Sequence, residues 1–412
     1  MLKRIRYCGI GFIAALLIAG CSAPALPEAT ATPTRTPAPL ETATPVPTST
    51  PTPQPATPTT TATPTQTVVE ATPFPLDVNP LTGEQMESAE VLESIPIAIK
   101  ISNSPEVRPQ SGLNSADLVF EHLAEGNITR FTAIFYGNQP ERVGSVRSGR
   151  LIDLEIPAMY NALFGYSGSS AGVKERIRNS DLFPTYIAAP DFGVGQPYFY
   201  RVPQPGKAFE HTLFTNPTVL RKLADEREIG DRPEFSRLMA FSEAPLDGGM
   251  PVGYFEVNYL RNVCTAEWTY ETTTERWQRK TAGVTHKDYL TGETLTAANV
   301  VIVYANHVES DIWEEMIGDR SRWKLSIEIQ LWGTGPVLVF RDGVMQNGYW
   351  ERHERDHMLT FWVSEGHPIP LKPGNTWFQM VPLDTTSEEI QEEQAEIKAL
   401  RFTPQGVVPF RR

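Results

Sequence analysis

Apolar and polar positions begin to alternate with a regular period near Phe74. IPIAIKIS (95–102), ADLVFEHL (116–123) and TRFTAIFYG (129–137) are β-rich runs, and ALFGY (162–166) is a shorter one. Between and after them the period lengthens. GRLIDLEIPAMY (149–160) places Leu151, Leu154 and Ile156 near the helical repeat and predicts a helix. SAGVKERIRN (170–179) predicts a short amphipathic helix. NPTVLRKLADERE (216–228) predicts another, with Asn216 as its cap and Pro217 at its first position. Strands mixed with helices argue for an α/β (or α+β) N-terminal domain over 76–235.

From there on the pattern is almost purely of strands. VGYFEVNYL alternates, and EWTYETTTERWQR reads as a hairpin with a polar turn. NVVIVYANHV, KLSIEIQLWG, PVLVFRDG, MLTFWVS and TWFQMVPL follow, separated by Gly, Asp and Asn turns. A mostly-β C-terminal domain over 236–385 is expected, as a sandwich or a curled sheet. The last segment, 386–412, contains TTSEEIQEEQAEIKALRF and predicts a capped acidic surface helix and a tail.

The first seventy-five positions are of two other kinds. Residues 1–21 open with Lys3, Arg4 and Arg6, continue with the apolar run YCGIGFIAALLIAG and end at Cys21. A charged start, a short apolar middle and small residues before a cut describe a secretory leader. The run falls short of the roughly 20 apolar residues that span a bilayer. Residues 22–75 are almost entirely Pro, Thr, Ala and Ser. Such a segment has nothing to bury against the entropy of folding. Its prolines favour an extended chain of about 3 Å per residue, a reach on the order of 100 Å.

Net charge is −13, and removal of the leader makes the chain more acidic still. That excludes a nucleic-acid partner and broad attraction to an anionic membrane surface. Of three cysteines, Cys8 lies in the leader, Cys21 at its end and Cys264 in the strand-like run YLRNVCTAEW. Cys264 therefore has no partner for a disulfide within the folded part and reads as a buried structural residue.

Against this acidic background ERVGSVRSGR (141–150) stands out. Arg142, Arg147 and Arg150 lie among Gly144, Ser145, Ser148 and Gly149 at a predicted strand-to-helix turn. Small residues let a ligand approach the backbone, and guanidinium groups suit phosphates and carboxylates. Arg130, on TRFTAIF, could approach from a neighbouring strand. GYSGSSAG (165–172) adds a second small-residue turn with Ser169 and Ser170. It is no nucleophile elbow, because the last position of G-x-S-x-G is Ser169. An anion site of Arg130, Arg142, Arg147, Arg150, Ser169 and Ser170 is one reading. In the other, Glu121, Glu125, Asp153 and Glu155 pair with the same arginines as structural salt bridges. His353 and His357 have i, i+4 spacing without a third ligand in view, so no metal site and no cofactor is expected. The tryptophans of the second half read as core, with stacking on sugars as the alternative.

The junction Ile18-Ala19-Gly20-Cys21 resembles a bacterial lipobox. NPLTGE (79–84), RPQSGLNSADLVFE (108–121), EGNITRFTAIF (125–135) and PERVGSVRSGR (140–150) resemble the N-terminal half of the YerB-like bacterial lipoproteins. TGE (291–293), ANVV (298–301), GYW (348–350) and LKPGNTWFQMVP (371–382) match the C-terminal half. The resemblance implies lipidation of Cys21, two domains and an extracytoplasmic position on the cell membrane. It implies no defined chemistry. The family pattern carries Gly-Pro-Val-Arg-Ser-Ala-Arg where this chain has Gly144-Ser145-Val146-Arg147-Ser148-Gly149-Arg150, and His-Asn where this chain has His211-Thr212.

Two functions stay open at this point. One is a non-enzymatic envelope protein that binds an anionic ligand, such as a cell-wall precursor, or a partner protein. The other is an enzyme acting on phosphate-bearing envelope precursors, by similarity to the LytR-CpsA-Psr type of wall-polymer phosphotransferase. The second would need an acidic metal-binding pair near the arginines, for which Asp117, Glu121 and Glu125 are the candidates.

Overall fold

The N-terminal half supplies β1 (Ile97–Ser102), β2 (Leu118–Leu123), β3 (Thr129–Phe135), β4 (Leu163–Gly165) and β5 (Ile187–Ala188). The C-terminal half supplies β6 (Met250–Asn258), β7 (Thr265–Glu271), β8 (Arg276–Thr281), β9 (Asn299–Glu315), β10 (Lys324–Gln330) and β11 (Gly333–Arg341). It continues with β12 (Val344–Arg352), β13 (Thr360–Ser364), β14 (Thr376–Pro382), β15 (Thr386–Glu389) and β16 (Lys398–Thr403). These elements come from a computed structural model that describes residues 74–412, except 126–127, 204, 316–323, 391–395, 408 and 410–412. The expected leader, Cys21 and nearly all of the expected Pro/Thr linker lie outside the described residues.

Among the described residues one sheet runs β5-β4-β1-β3-β2-β14-β9-β11-β12-β13. The expected boundary near 235 falls in irregular chain, and the sheet crosses it: β2 pairs in parallel with β14, from Leu118↔Thr376 to Glu121↔Gln379. Strands at this junction are covered on both faces. Every residue of β1, β2 and β14 is buried, so these strands read as near-continuous apolar runs.

A second sheet, β8-β7-β6-β16-β15, packs on the C-terminal part of the first. The two meet through aromatic rings. Phe255 stacks on Phe340 at 3.9 Å, Trp277 meets Phe340 at 5.8 Å and Trp268 meets Trp377 at 5.4 Å. The tryptophans Trp268, Trp277, Trp350 and Trp377 are thus core, whereas Trp332 is half-exposed. Cys264 is buried and free.

Two helices sit on the N-terminal half. α1 (Ala171–Arg178) is capped by Ser170, whose Oγ accepts from Val173 N at 3.4 Å. α2 (Pro217–Glu226) is capped by Asn216, which accepts from Val219 N at 2.9 Å.

Two expectations are corrected. The segment 149–160 is not one helix but a 3-10 turn, Leu151–Leu154, followed by a single α-turn, Ile156–Met159. Pro157 has no N–H to continue an earlier turn. Asp153 is drawn inward to Lys100 Nζ at 2.8 Å and to Arg150 N at 2.7 Å. The acidic tail is not helical where it is described. It forms β15 and β16, and β16 joins β6 in parallel with Leu400 and Phe402 buried. Burial of those two side chains and the ladder bonds outweigh the helical propensity of Glu, Gln, Ala and Lys.

Candidate functional site

The arginine-rich stretch is laced between two parts of the N-terminal half. Ser102 N donates to Ser145 O (3.0 Å), and Arg147 N donates to Lys100 O (3.0 Å), along the end of β1. On the other side Val143 and Gly144 pair with Thr215 and Phe214, and Val146 N donates to Leu213 O (2.8 Å). Glycine is required at 144. Its φ is +146°, and a Cβ there would lie 2.9 Å from the Phe214 ring and 3.0 Å from Leu213 O.

This lacing sends neighbouring side chains to different places. Arg150 is closed off by carboxylates. Its Nε donates to Glu125 at 2.6 Å, and Glu314, reaching over from the end of β9, lies 3.8 Å away. Ser170 donates to the same Glu314 at 2.9 Å. Arg130 donates to Ser148 O at 2.8 Å, and burial together with Arg150 pushes its pKa down to about 9. Ser169 Oγ is buried without a hydrogen-bond partner. Of the anion set expected from sequence, Arg150 and Ser170 therefore belong to an ion-paired cluster.

The carboxylates expected to pair with these arginines mostly go elsewhere. Only Glu125 does so. Glu121 is bound to Arg279 (2.8 Å), Asp153 to Lys100 (2.8 Å), and Glu155 to Arg352 (2.7 Å) and Arg355 (3.3 Å). Asp117 is buried, accepting from Asn79 Nδ2 (2.6 Å) and Tyr136 N (2.6 Å), and burial raises its pKa to about 6. The acidic pair that a metal-dependent phosphotransferase would need is thus engaged within the core. Among the described residues no group of three His, Cys, Asp or Glu is placed to hold a metal.

Arg142 points the other way, into a small cavity of about 60 Å³. Ser111, Ser145, Lys207, His211, Phe214 and Tyr289 line it with Arg142. Arg142 Nε donates to Ser111 Oγ at 3.2 Å, and its guanidinium lies 4.6 Å over the Tyr289 ring and 5.4 Å from that of Phe214. Among the described residues neither Arg142 nor Lys207 has a carboxylate within ion-pair distance. Ser145 is 3% exposed, and its Oγ has no partner; nor does the buried His211 Nδ1. Arg147 lies beside the same loop, its Nη1 3.5 Å from Glu210 O and its Nε buried and unpartnered. Burial lowers its pKa, opposed by Glu210 and assisted by Arg150.

Buried polar atoms are nearly always hydrogen-bonded, so the unpartnered Ser145 Oγ and His211 Nδ1, on two residues of the cavity wall, leave polar capacity unused beside it. Two cations without counter-carboxylates give an occupant of the cavity a negative sign. Sequence reasoning had Arg142 and Arg147 but not Ser111, Ser145, Lys207 or Tyr289 as site residues. His211 entered it only through the family pattern. Tyr289 arrives from the C-terminal half, where its N–H donates to Gln110 O at 2.7 Å. No local signal joins residues so far apart in the chain.

Two family models match this chain. The model described as "Protein of unknown function (DUF3048) N-terminal domain" matches residues 81–230, and its C-terminal counterpart matches 255–378. A curated relative, "Putative lipoprotein YerB" of Bacillus subtilis (strain 168), is 30% identical over 311 residues, 75% of this chain and 87% of the relative. The crystal structure of the YerB protein from Bacillus subtilis superimposes with a TM-score of 0.60 at 28% identity, covering 74% of this chain and 97% of that one. Matched in both halves and along most of the relative's length, the chain belongs to the DUF3048 family of YerB-like proteins.

Proposed function

We propose that this protein is a lipid-anchored, extracytoplasmic binding protein of the cell envelope whose cavity at Arg142, Ser145, Lys207 and His211 takes a small anionic group. The observation that carries the ligand reading is a cavity lined by two cations that lack counter-carboxylates among the described residues, Arg142 and Lys207, with Ser145 and His211 in its wall. Ser145 and His211 share the cavity without a hydrogen bond between them, so the arrangement favours binding over a preformed nucleophile and base. Differential scanning calorimetry with millimolar phosphate or pyrophosphate tests it. Stabilisation follows mass action, so wild type is expected to gain about 2.7 kcal/mol at a hundredfold excess over Kd. Arg142→Ala/Lys207→Ala is expected to lose that gain while melting within a few degrees of wild type without anion. A wild type that gains nothing from either anion removes the reading.

The anchor reading rests on the relative named as a lipoprotein and on the leader ending at Cys21. No helix among the described residues is long and apolar enough to cross a membrane. Residues 22–75 then serve as a tether that holds the folded part away from the bilayer. Cys21→Ser removes the thiol that a thioether lipid needs, and is expected to abolish lipid labelling and release the protein from the membrane fraction. Unchanged labelling in that variant refutes the assignment.

A further inference from the structure

We infer that the anion is carried on a sugar ring, so that the ligand is a phosphate ester of a pyranose; this rests on the anion-binding reading above. The cavity is only large enough for the charged group, at about 60 Å³, so the remainder of any ligand must lie on its rim. Tyr289, which lines the cavity, is 54% exposed, and Phe209, two positions before the lining residue His211, is 70% exposed; they are two of the few large apolar side chains left in water among the described residues. Each ring is held from behind by an arginine: Arg142 lies 4.6 Å over Tyr289 and Arg201 3.4 Å over Phe209. Arg201 is itself fixed by Phe209 O (2.6 Å) and Thr212 Oγ1 (3.3 Å). The rings therefore present preset open faces with little ordering left to do on binding.

An open aromatic face beside a polar group suits a ligand that is apolar on one face and hydroxylated at its edge. Glu210 follows Phe209 directly, is exposed, and forms no ion pair within 4.0 Å among the described residues. A carboxylate in that position would repel a second phosphate or an anionic lipid surface, but it accepts hydrogen bonds from sugar hydroxyls. The cations and the Tyr289 ring on the cavity wall, with Phe209 and Glu210 next to the lining residue His211 in the chain, offer partners for a phosphate, a pyranose face and its hydroxyls. The two cations, Arg142 and Lys207, also suit a phosphate better than a singly charged carboxylate.

Isothermal titration of the full chain in detergent tests this with glucose 1-phosphate, its methyl phosphodiester, inorganic phosphate and uridine monophosphate. Glucose 1-phosphate is expected to bind about tenfold tighter than inorganic phosphate, a difference of about 1.4 kcal/mol. Phe209→Ala is expected to erase that preference and leave phosphate binding intact; Tyr289→Leu, which keeps bulk but not the ring, is expected to reduce it as well. The methyl diester binding as tightly as the monoester assigns the ligand to phosphate-linked glycan chains, and its failure to bind assigns it to free sugar phosphates. Phosphate binding with no gain from the sugar overturns the inference and leaves the anion site standing. A preference for uridine monophosphate also overturns it, because the rings then read a base. If none of the four binds, the anion reading itself has failed.

Discussion

Arg279→Ala is expected to lower the unfolding free energy by about 3–5 kcal/mol, the usual cost of stranding one member of a buried ion pair. Arg279 and Glu121 are both fully buried and lie 2.8 Å apart, one from each half of the chain. Glu121 is further held by Thr129 Oγ1 (2.7 Å) and Asn103 Nδ2 (3.2 Å), and Arg279 Nε donates to His286 at 3.1 Å. The guanidinium also sits among three rings, 4.8 Å from Trp377, 5.1 Å from Trp268 and 5.7 Å from Phe131. Alanine would remove the stacking and leave a carboxylate in the core with neutral donors only. Arg279→Lys keeps the charge but not the planar group, so an intermediate loss is expected. Urea unfolding followed by tryptophan fluorescence measures both, since Trp268 and Trp377 report on the site. A loss below about 1 kcal/mol for Arg279→Ala would mean that Glu121 takes up a proton or water at little cost, and that the pair does not hold the halves together.

Stability is expected to fall steeply as pH drops below about 6.5, from three buried imidazoles. His122, His286 and His307 all have pKa values lowered by burial, assisted at His122 by Lys100 and at His286 by Arg279; His307 falls to about 4. The hydrogen bonds agree with neutral rings. Lys100 Nζ lies 2.5 Å from His122 Nε2, leaving Nδ1–H to donate to Leu123 O at 3.0 Å. A second proton on that ring would face an ammonium group. The folded state therefore binds fewer protons than the unfolded state below pH 6.5. The stabilisation is complete above that value and is lost on acidification. Each imidazole contributes at most about 1.4 kcal/mol per pH unit, reached once the unfolded ring is fully protonated, so three alone would approach about 4 kcal/mol per unit. Asp117 works in the opposite sense. Its folded pKa, about 6, lies above the usual 3.8 of an aspartate, so the folded state takes up one proton first over that interval. The net slope below pH 6 should thus rise no further than about 2.7 kcal/mol per unit. Urea midpoints at pH 7.5, 6.5, 5.5 and 5 would show it, and His307→Leu should flatten the curve by one proton. Constant stability across that range is incompatible with three neutral buried histidines.

Where local pattern and burial agree, elements are legible. IPIAIKIS is β1, and Asn216 with Pro217 opens α2 as capping chemistry requires. Where long-range pairing competes, the local pattern loses. The Glu- and Gln-rich tail has helical propensity, yet the edge of β6 offers its ladder and a buried place for Phe402. Lys100 gives no sign in sequence of being functional or buried; only the meeting of β1, β2, β3 and Asp153 supplies the partners that make its burial tolerable.

The candidate site divides in the same way. Composition alone determined the leader-like start, the Pro/Thr segment with nothing to bury, the acidic background and the clustering of arginines at 142–150, because these depend on residue type and not on contact. Which arginines are free depends on where each side chain is sent. Arg147 and Arg150 are three residues apart, but Glu314 and Glu125 close on Arg150 while Arg147 turns toward Glu210. Arg142 meets Tyr289 only because β2 and β14 join the two halves in one sheet and bring the 286–295 loop onto Gln110. Charge is a property of the residue, whereas its neutralisation is a property of neighbours within a few ångströms, and those neighbours are chosen by the fold.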